Sequence, residues 1–71
     1  MEMNGVIINI NYLGAVARLT DGTLAAVPPA EVTVHQALLQ ESLREHRELP
    51  FVIHKRGKHA AAFLSNRAMP S

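Results

Sequence analysis

The order in which strand-like and helical periodicities follow one another along the chain restricts the folds that it can adopt. An amino-terminal run rich in β-branched residues places Val6, Ile8 and Ile10 on one face by the two-residue period of a strand. Residues 15–19 alternate in the same way. We therefore expect two strands, joined by a bend or bulge at residues 11–14.

Turn-forming residues mark where the next strands end. Asp21-Gly22 predicts a tight hairpin, because both residue types tolerate the positive φ of a primed turn. A third strand over residues 23–27 should stop at Pro28-Pro29, since proline has no amide hydrogen with which to continue a central ladder. The amino-terminal half is thus expected to be a three-stranded meander.

A helical period replaces the strand period at Thr33. Thr33 and Gln36 have the spacing of a capping box, in which two side chains satisfy backbone amides at a helix start. The pattern predicts a helix over 34–47 whose apolar side is formed by Val34, Leu38, Leu39 and Leu43.

Two further strands complete the chain. Residues 51–53 and 60–64 read as strands, and Arg56-Gly57-Lys58 turns the chain between them. The order β-β-β-α-β-β is that of a small five-stranded OB-type β-barrel, an all-β fold with one helix that plugs the barrel end. A small open α+β sheet is the alternative. We expect one domain over 1–71, a disordered tail at 68–71, and a core that includes Phe51 and Phe63.

The length and composition exclude several classes of protein. A chain of 71 residues without cysteine has neither disulfides nor a thiolate zinc site, so its own core or a partner must stabilise it. No apolar run approaches the roughly 20 residues that a membrane span needs, and no signal peptide is evident. We expect a soluble cytoplasmic protein with no membrane association.

Positive charge is concentrated near the carboxyl end. The net charge is only +1, but residues 35–71 hold six Lys and Arg against three Glu. Residues 54–67 alone contain Lys55, Arg56, Lys58 and Arg67, and no acidic residue. Such local asymmetry favours a polyanionic partner.

Taken in order, four segments of the chain resemble the RNA-binding repeat of ribosomal protein S-one. They are Gly5-Val6-Ile7, Tyr12-Leu13-Gly14-Ala15-Val16, residues 27–32, and Arg56-Gly57-Lys58 followed by Leu64-Ser65-Asn66-Arg67. The resemblance covers almost the whole chain, and it implies an OB-fold and RNA binding in translation or RNA metabolism. A weaker similarity to translation initiation factor one rests on the size, the single barrel and the Met-Asn-Gly-Val opening.

The resemblance also indicates a site, but with departures. The family stacks bases on two aromatic side chains beside a histidine, whereas here only Tyr12 resembles one of the aromatics, Val16 replaces the other, and Pro28 replaces the histidine. Charge should therefore carry most of any RNA binding. The expected RNA-binding residues are Tyr12, Arg18, Lys55, Arg56, Lys58, His59 and Arg67.

Other functions receive less support from the residues. The hairpin cations also suit a solvated strand edge, and the chain also suits a protein-interaction module that docks through helix 34–47 or the apolar stretch 24–29. His54 and His59 flank the basic turn without a third metal ligand nearby, so we expect no metal and no cofactor. No nucleophile motif or phosphate-binding glycine loop is present, and a barrel this small has no room for a small-molecule substrate. We therefore expect no enzyme activity.

Overall fold

Five strands close into a barrel in the computed structural model, which describes residues 1–69. The strands are β1 (Glu2–Asn11), β2 (Gly14–Leu19), β3 (Leu24–Val27), β4 (Leu49–Arg56) and β5 (His59–Leu64). They lie in the order β1-β2-β3-β5-β4, and β4 returns to β1. Neighbours are antiparallel except β3 and β5, which are parallel. The closed OB-type barrel predicted from the sequence is confirmed, and the open α+β sheet is excluded.

The segment between β3 and β4 forms two helices, α1 (Pro29–Val34) and α2 (Gln36–Glu45). The predicted single helix over 34–47 is wrong in its start, because Pro29 occupies the first turn of α1, where its missing amide hydrogen costs nothing. The capping box is also absent: the Thr33 hydroxyl donates to the Pro29 carbonyl, and His35 breaks the helix. His46, at φ 57°, ends α2.

The barrel interior mixes large and small side chains, and one helix residue closes its end. Leu39 of α2 is fully buried, and Leu38 and Leu43 are half-buried against the core, as the helical period predicted. Val34 is instead 72% exposed, because it lies at the end of α1. The buried apolar residues are Ile7, Ala15, Ala17, Leu19, Ala25, Val27, Leu39, Leu49, Phe51, Ile53, Ala62 and Leu64.

Only one of the two phenylalanines belongs to the core. Phe51 is fully buried, as expected, but Phe63 is 36% exposed. Its neighbours Ala62 and Leu64 are the buried members of β5, so the two-residue period turns Phe63 outward. The expectation that Phe63 lies in the core is therefore wrong, and an aromatic ring is left on the barrel surface.

A bulge in β1 changes which of its residues face inward. The pairing with β2 passes from Ile7↔Ala17 to Asn9↔Val16, so Ile8 has no partner in β2. Ile7 is buried and Ile10 is half-buried against the core, while Ile8 is exposed. The prediction that Ile8 and Ile10 share a face is wrong, because the extra residue shifts the alternation by one.

A helix side chain completes the backbone hydrogen bonding of β1. The pairing of β1 with β4 ends at Gly5↔Leu49, which leaves the amide of Ile7 without a strand partner on that side. The buried hydroxyl of Ser42 in α2 accepts from the Ile7 amide at 3.0 Å and donates to the Arg47 carbonyl at 2.6 Å. This serine therefore joins α2 to the barrel wall.

Glu31 of α1 likewise accepts a hydrogen bond from a β5 amide that has no strand partner. The amide of Ser65 donates toward β4, to the Pro50 carbonyl, so the amide of Leu64 points to the other side, where β3 has ended. A Glu31 carboxylate oxygen accepts from the Leu64 amide at 2.8 Å. The two helices thus satisfy strand donors at the places where neighbouring strands stop.

The β2–β3 turn lies where the sequence predicted it, but its geometry differs from the prediction. In the β2–β3 hairpin the Gly22 amide donates to the Leu19 carbonyl, and the Leu19 amide donates to the Thr23 carbonyl. Gly22 has φ 88°, but Asp21 is not in the left-handed region, so this is a three-residue loop rather than the predicted primed turn.

The chain is ordered past the last strand. Residues Asn66–Ala68 form a 3₁₀ helix, and Ala68 and Met69 are half-buried against the core. Of the tail expected to be disordered over 68–71, residues 68 and 69 are therefore packed, because apolar surface next to the core is available to them. Residues 70 and 71 lie outside the described part.

Candidate nucleic-acid interface

The β4–β5 hairpin carries the three cations that the sequence placed in its turn. Arg56 pairs with His59 across the hairpin, and Gly57, at φ 58°, makes the two-residue turn possible. Lys55, Arg56 and Lys58 are all exposed. The hairpin thus presents its positive charge to solvent.

Arg18 joins these cations from a different strand. It is exposed on the outer face of β2 and pairs with Leu24 in β3. The parallel pair Ala26↔Ala61 puts the start of β3 level with the start of β5, so Leu24 lies beside His59. Because His59 pairs with Arg56, a row of side chains crosses the outer surface from Arg18 through Leu24 and His59 to Arg56. We call Arg18, Lys55, Arg56 and Lys58 the basic end of the barrel.

The other three arginines differ from the cations of the basic end because each of them forms a salt bridge. Arg44 pairs with Glu45 at 3.5 Å, Arg47 pairs with Glu41, and Arg67 pairs with Glu2 at 2.6 Å. None of the four cations of the basic end forms a salt bridge within residues 1–69. The cations of this set that lack a salt bridge in residues 1–69 are therefore Arg18 on β2 and the three cations of the β4–β5 hairpin.

Acidic residues lie near two cations of the basic end: Glu48 lines a groove together with Arg18, and Asp21 lies near Lys55. The Thr23 amide donates to the Asp21 carboxylate at 2.9 Å, and this bond is the main reason that the pKa of Asp21 is lowered. The Thr23 hydroxyl and the positive charge of Lys55 lower it further. Asp21 therefore stays ionised and offsets part of the Lys55 charge.

A groove beside the basic end combines an aromatic ring with small residues. The rings of His54 and Phe63 lie edge to face, with centroids 5.3 Å apart and planes at 87°. The groove holds about 490 Å³, and its described lining contains no acidic side chain. We call it the aromatic groove; it is lined by Ala26, His54, Arg56, His59, Ala60, Ala61 and Phe63.

Tyr12 lies at the other end of the sheet. It is 89% exposed in the β1–β2 turn, where the Asn11 side chain accepts from the Leu13 amide at 2.8 Å. The strand β2 runs from this turn to Arg18, a rise of about 13 Å over four residues. The structure therefore does not bring Tyr12 to the basic end, although the sequence grouped them.

An apolar groove lies between Tyr12 and the aromatic groove. It holds about 470 Å³ and is lined by Asn11, Leu13, Gly14, Ala15, Val16, Ala26, Val27, Pro28, Pro29 and Ala61. Leu13 is 70% exposed beside it. Because Ala26 and Ala61 line both grooves, the apolar groove and the aromatic groove form one continuous surface.

Arg67 is placed apart from the hairpin turn. It follows β5, whose other end forms that turn, and its guanidinium pairs with Glu2. The Ser65 hydroxyl donates to the same carboxylate at 2.9 Å and accepts from the Arg67 amide at 3.2 Å. These contacts fasten the carboxyl-terminal segment to β1. The expected site residues therefore divide into the basic end with His59, and the separate Tyr12 and Arg67.

Sequence reasoning missed Phe63 and His54 as surface neighbours. The strict alternation of buried Ala62 and Leu64 in β5 was the feature that could have placed Phe63 outside. Within residues 1–69 no group of three or more His, Cys, Asp or Glu could hold a metal ion.

Comparison with known proteins gave no relative: no family model, no curated protein and no solved structure matches the chain. None of the helices described in residues 1–69 is long and apolar enough to cross a membrane. Inference about function therefore rests on the geometry of the barrel surface.

Proposed function

We propose that this chain is a non-catalytic RNA-binding module of the cytoplasm, acting in translation or RNA metabolism. Its basic end contacts phosphates, and the adjoining outer face of the barrel holds the nucleotides. The observation that carries the proposal is that Arg18, Lys55, Arg56 and Lys58 are all exposed and form no salt bridge in the described chain. The resemblance of the sequence to the S-one repeat selects RNA among polyanions.

The charge distribution favours phosphate contact over a solvated strand edge. A cation that only keeps a strand edge soluble gains from a nearby carboxylate, as Arg44, Arg47 and Arg67 do here. The cations of the basic end come instead from β2 and from the β4–β5 hairpin, and none of them forms a salt bridge within residues 1–69. Exposed cations without salt bridges raise the local potential and attract a polyanion.

The test is the salt dependence of binding to a labelled single-stranded RNA. Replacing Lys55, Arg56 and Lys58 together by Ala should remove up to three phosphate contacts. Three phosphate contacts to a single strand contribute about 2 to the slope of log affinity against log salt concentration. When the salt is raised from 50 to 200 mM, the affinity of the wild type should therefore fall about 20-fold more than that of the mutant. Fluorescence anisotropy gives both affinities.

A matched control removes equal charge elsewhere. Replacing Arg44, Arg47 and Arg67 together by Ala also removes three cations, but each of these is paired with a glutamate. This variant should keep the wild-type salt slope, and NMR spectra should confirm that both variants are folded. Equal losses in the two variants would show that net charge alone is responsible, and the proposed interface would be abandoned.

The apolar groove supports a second candidate function, a protein-interaction module that docks through the 24–29 stretch. Leu24, at the start of this stretch, is 56% exposed, and Pro28 and Pro29, at its end, line the apolar groove. The outward side of helix α2 is less suited, because Arg44 and Glu45 there are charged and exposed. Absence of RNA binding at low salt would favour this second function, which a pull-down with Leu24→Asp as control would examine.

A further inference from the structure

The barrel surface carries an aromatic ring whose position is not required by the core. Phe63 lies on the outer face of β5, partly exposed, with the His54 ring edge to face against it. The residues beside it, Ala26 and Ala61, are small and leave space above the sheet. A partly exposed phenylalanine that lines a groove of about 490 Å³ is suited to contact a ligand.

We propose that Phe63, supported by His54, is a stacking platform for an unpaired base, and that the ligand of the aromatic groove is single-stranded nucleic acid. The inference rests on the proposed function and refines it. It moves the stacking role from Tyr12, which lies at the far end of β2, to a ring beside the basic end.

The spacing of the surrounding residues fits a nucleotide. Arg56 lies two residues after His54 on the same face of β4, about 7 Å along the strand. A base stacked on Phe63 therefore leaves its sugar and phosphate within reach of Arg56 and His59, which line the same groove. Stacking on an aromatic ring is tolerant of base identity, because every base has a flat face.

A duplex cannot use the Phe63 ring as an unpaired base can. Bases in a double helix are stacked on one another, and their faces are not free to meet a protein ring. An acidic peptide satisfies the cations of the basic end but offers a flat ring to Phe63 only where it contains an aromatic residue, whereas every nucleotide carries one. The combination of charge with a ring therefore points to an unpaired strand.

The experiment compares two aromatic substitutions on the intact chain. The probe is a fluorescein-labelled eight-nucleotide oligouridylate, and its DNA counterpart, a blunt RNA duplex and polyglutamate are further probes. Phe63→Leu should weaken oligouridylate binding about 5- to 100-fold and leave its salt slope unchanged. Phe63→Tyr should retain affinity, and Tyr12→Leu, which removes an exposed aromatic elsewhere, should have no effect.

The possible failures can be told apart. If the wild type binds none of the nucleic acids, the proposed function itself fails. If it binds with a strong salt dependence but Phe63→Leu binds as tightly, or a blunt RNA duplex binds equally well, only the stacking inference is overturned. If polyglutamate binds equally well, both the stacking inference and the proposed function fail. A larger loss in Tyr12→Leu than in Phe63→Leu would also overturn it. Equal binding of the DNA counterpart supports stacking without recognition of the ribose.

A second measurement does not depend on any variant. The ring protons of Phe63 should shift upfield in the wild-type NMR spectrum when oligouridylate is added, while those of Tyr12 stay in place. Should Phe63→Leu fail to fold, this shift decides the matter: unchanged Phe63 resonances at saturation would refute the platform.

Discussion

Replacement of Ser42 by Ala examines how the helix segment is joined to the barrel. The Ser42 hydroxyl is buried, accepts from the Ile7 amide at 3.0 Å and donates to the Arg47 carbonyl at 2.6 Å. No strand lies on that side of Ile7, because the β1–β4 pairing ends at Gly5. Alanine fits the same space but offers no hydrogen bond. We predict that S42A is folded and clearly less stable than the wild type.

The size of the loss follows from the two bonds. Leaving the buried Ile7 amide unsatisfied should cost about 1–3 kcal/mol, and losing the bond to the Arg47 carbonyl, which water can replace, should cost about 0.5–1.5 kcal/mol. The better helix propensity of alanine returns at most about 0.5 kcal/mol. The net loss in the free energy of unfolding is thus about 2.5 kcal/mol, within a range of about 1–4 kcal/mol.

Urea denaturation followed by circular dichroism measures this free energy. The matched control is Gln40→Ala in the same helix, where the side chain is exposed and the change should stay within about 0.5 kcal/mol. Amide hydrogen exchange adds a local readout, since Ile7 should lose protection in S42A. If S42A and Q40A unfold within about 0.5 kcal/mol of each other, the hydroxyl does not support β1 and the reasoning is refuted.

Three further predictions concern a glycine, an acidic turn and a salt bridge. Gly14→Ala should cost about 3–5 kcal/mol, since φ is 126° and an added Cβ would stand 2.3 Å from the Val27 carbonyl oxygen. Gly57→Ala, at φ 58° in open space, should cost only about 1–2 kcal/mol in the same denaturation assay, and equal costs would contradict the packing argument. Because folding lowers the pKa of Asp21, the ionised carboxylate stabilises the folded state at pH values above the ordinary pKa of 3.8. This stabilisation is lost as the pH falls through the lower pKa of the folded state. The Tm difference between wild type and Asp21→Asn should therefore shrink between pH 6 and about pH 2.5, and a constant difference would contradict this. Arg67→Ala should cost at most about 1 kcal/mol, because its pair with Glu2 is exposed, and RNA titration should show a smaller loss of affinity than for Arg56→Ala.

Local sequence determined the elements of this fold and their order. The β-branched runs, the Asp21-Gly22 and Gly57 turns and the break at Pro28-Pro29 each act on a few neighbouring residues, so they can be interpreted without the rest of the chain. They indicated five strands with a helical segment after the third, and the concentration of cations in the β4–β5 turn. The S-one resemblance implied the same barrel.

Tertiary structure alone decided which side chains face the core and which charges remain uncompensated. The bulge at Ile8 appears only in the register between β1 and β2, because a strand pattern by itself does not show where an extra residue is inserted. The partners of the Ile7 and Leu64 amides, Ser42 and Glu31, come from helices more than 30 residues away. The separation of Arg67 from the basic end likewise depends on Glu2, at the opposite end of the chain. Backbone preference is a local property, whereas burial, hydrogen-bond satisfaction and charge pairing are properties of the closed barrel.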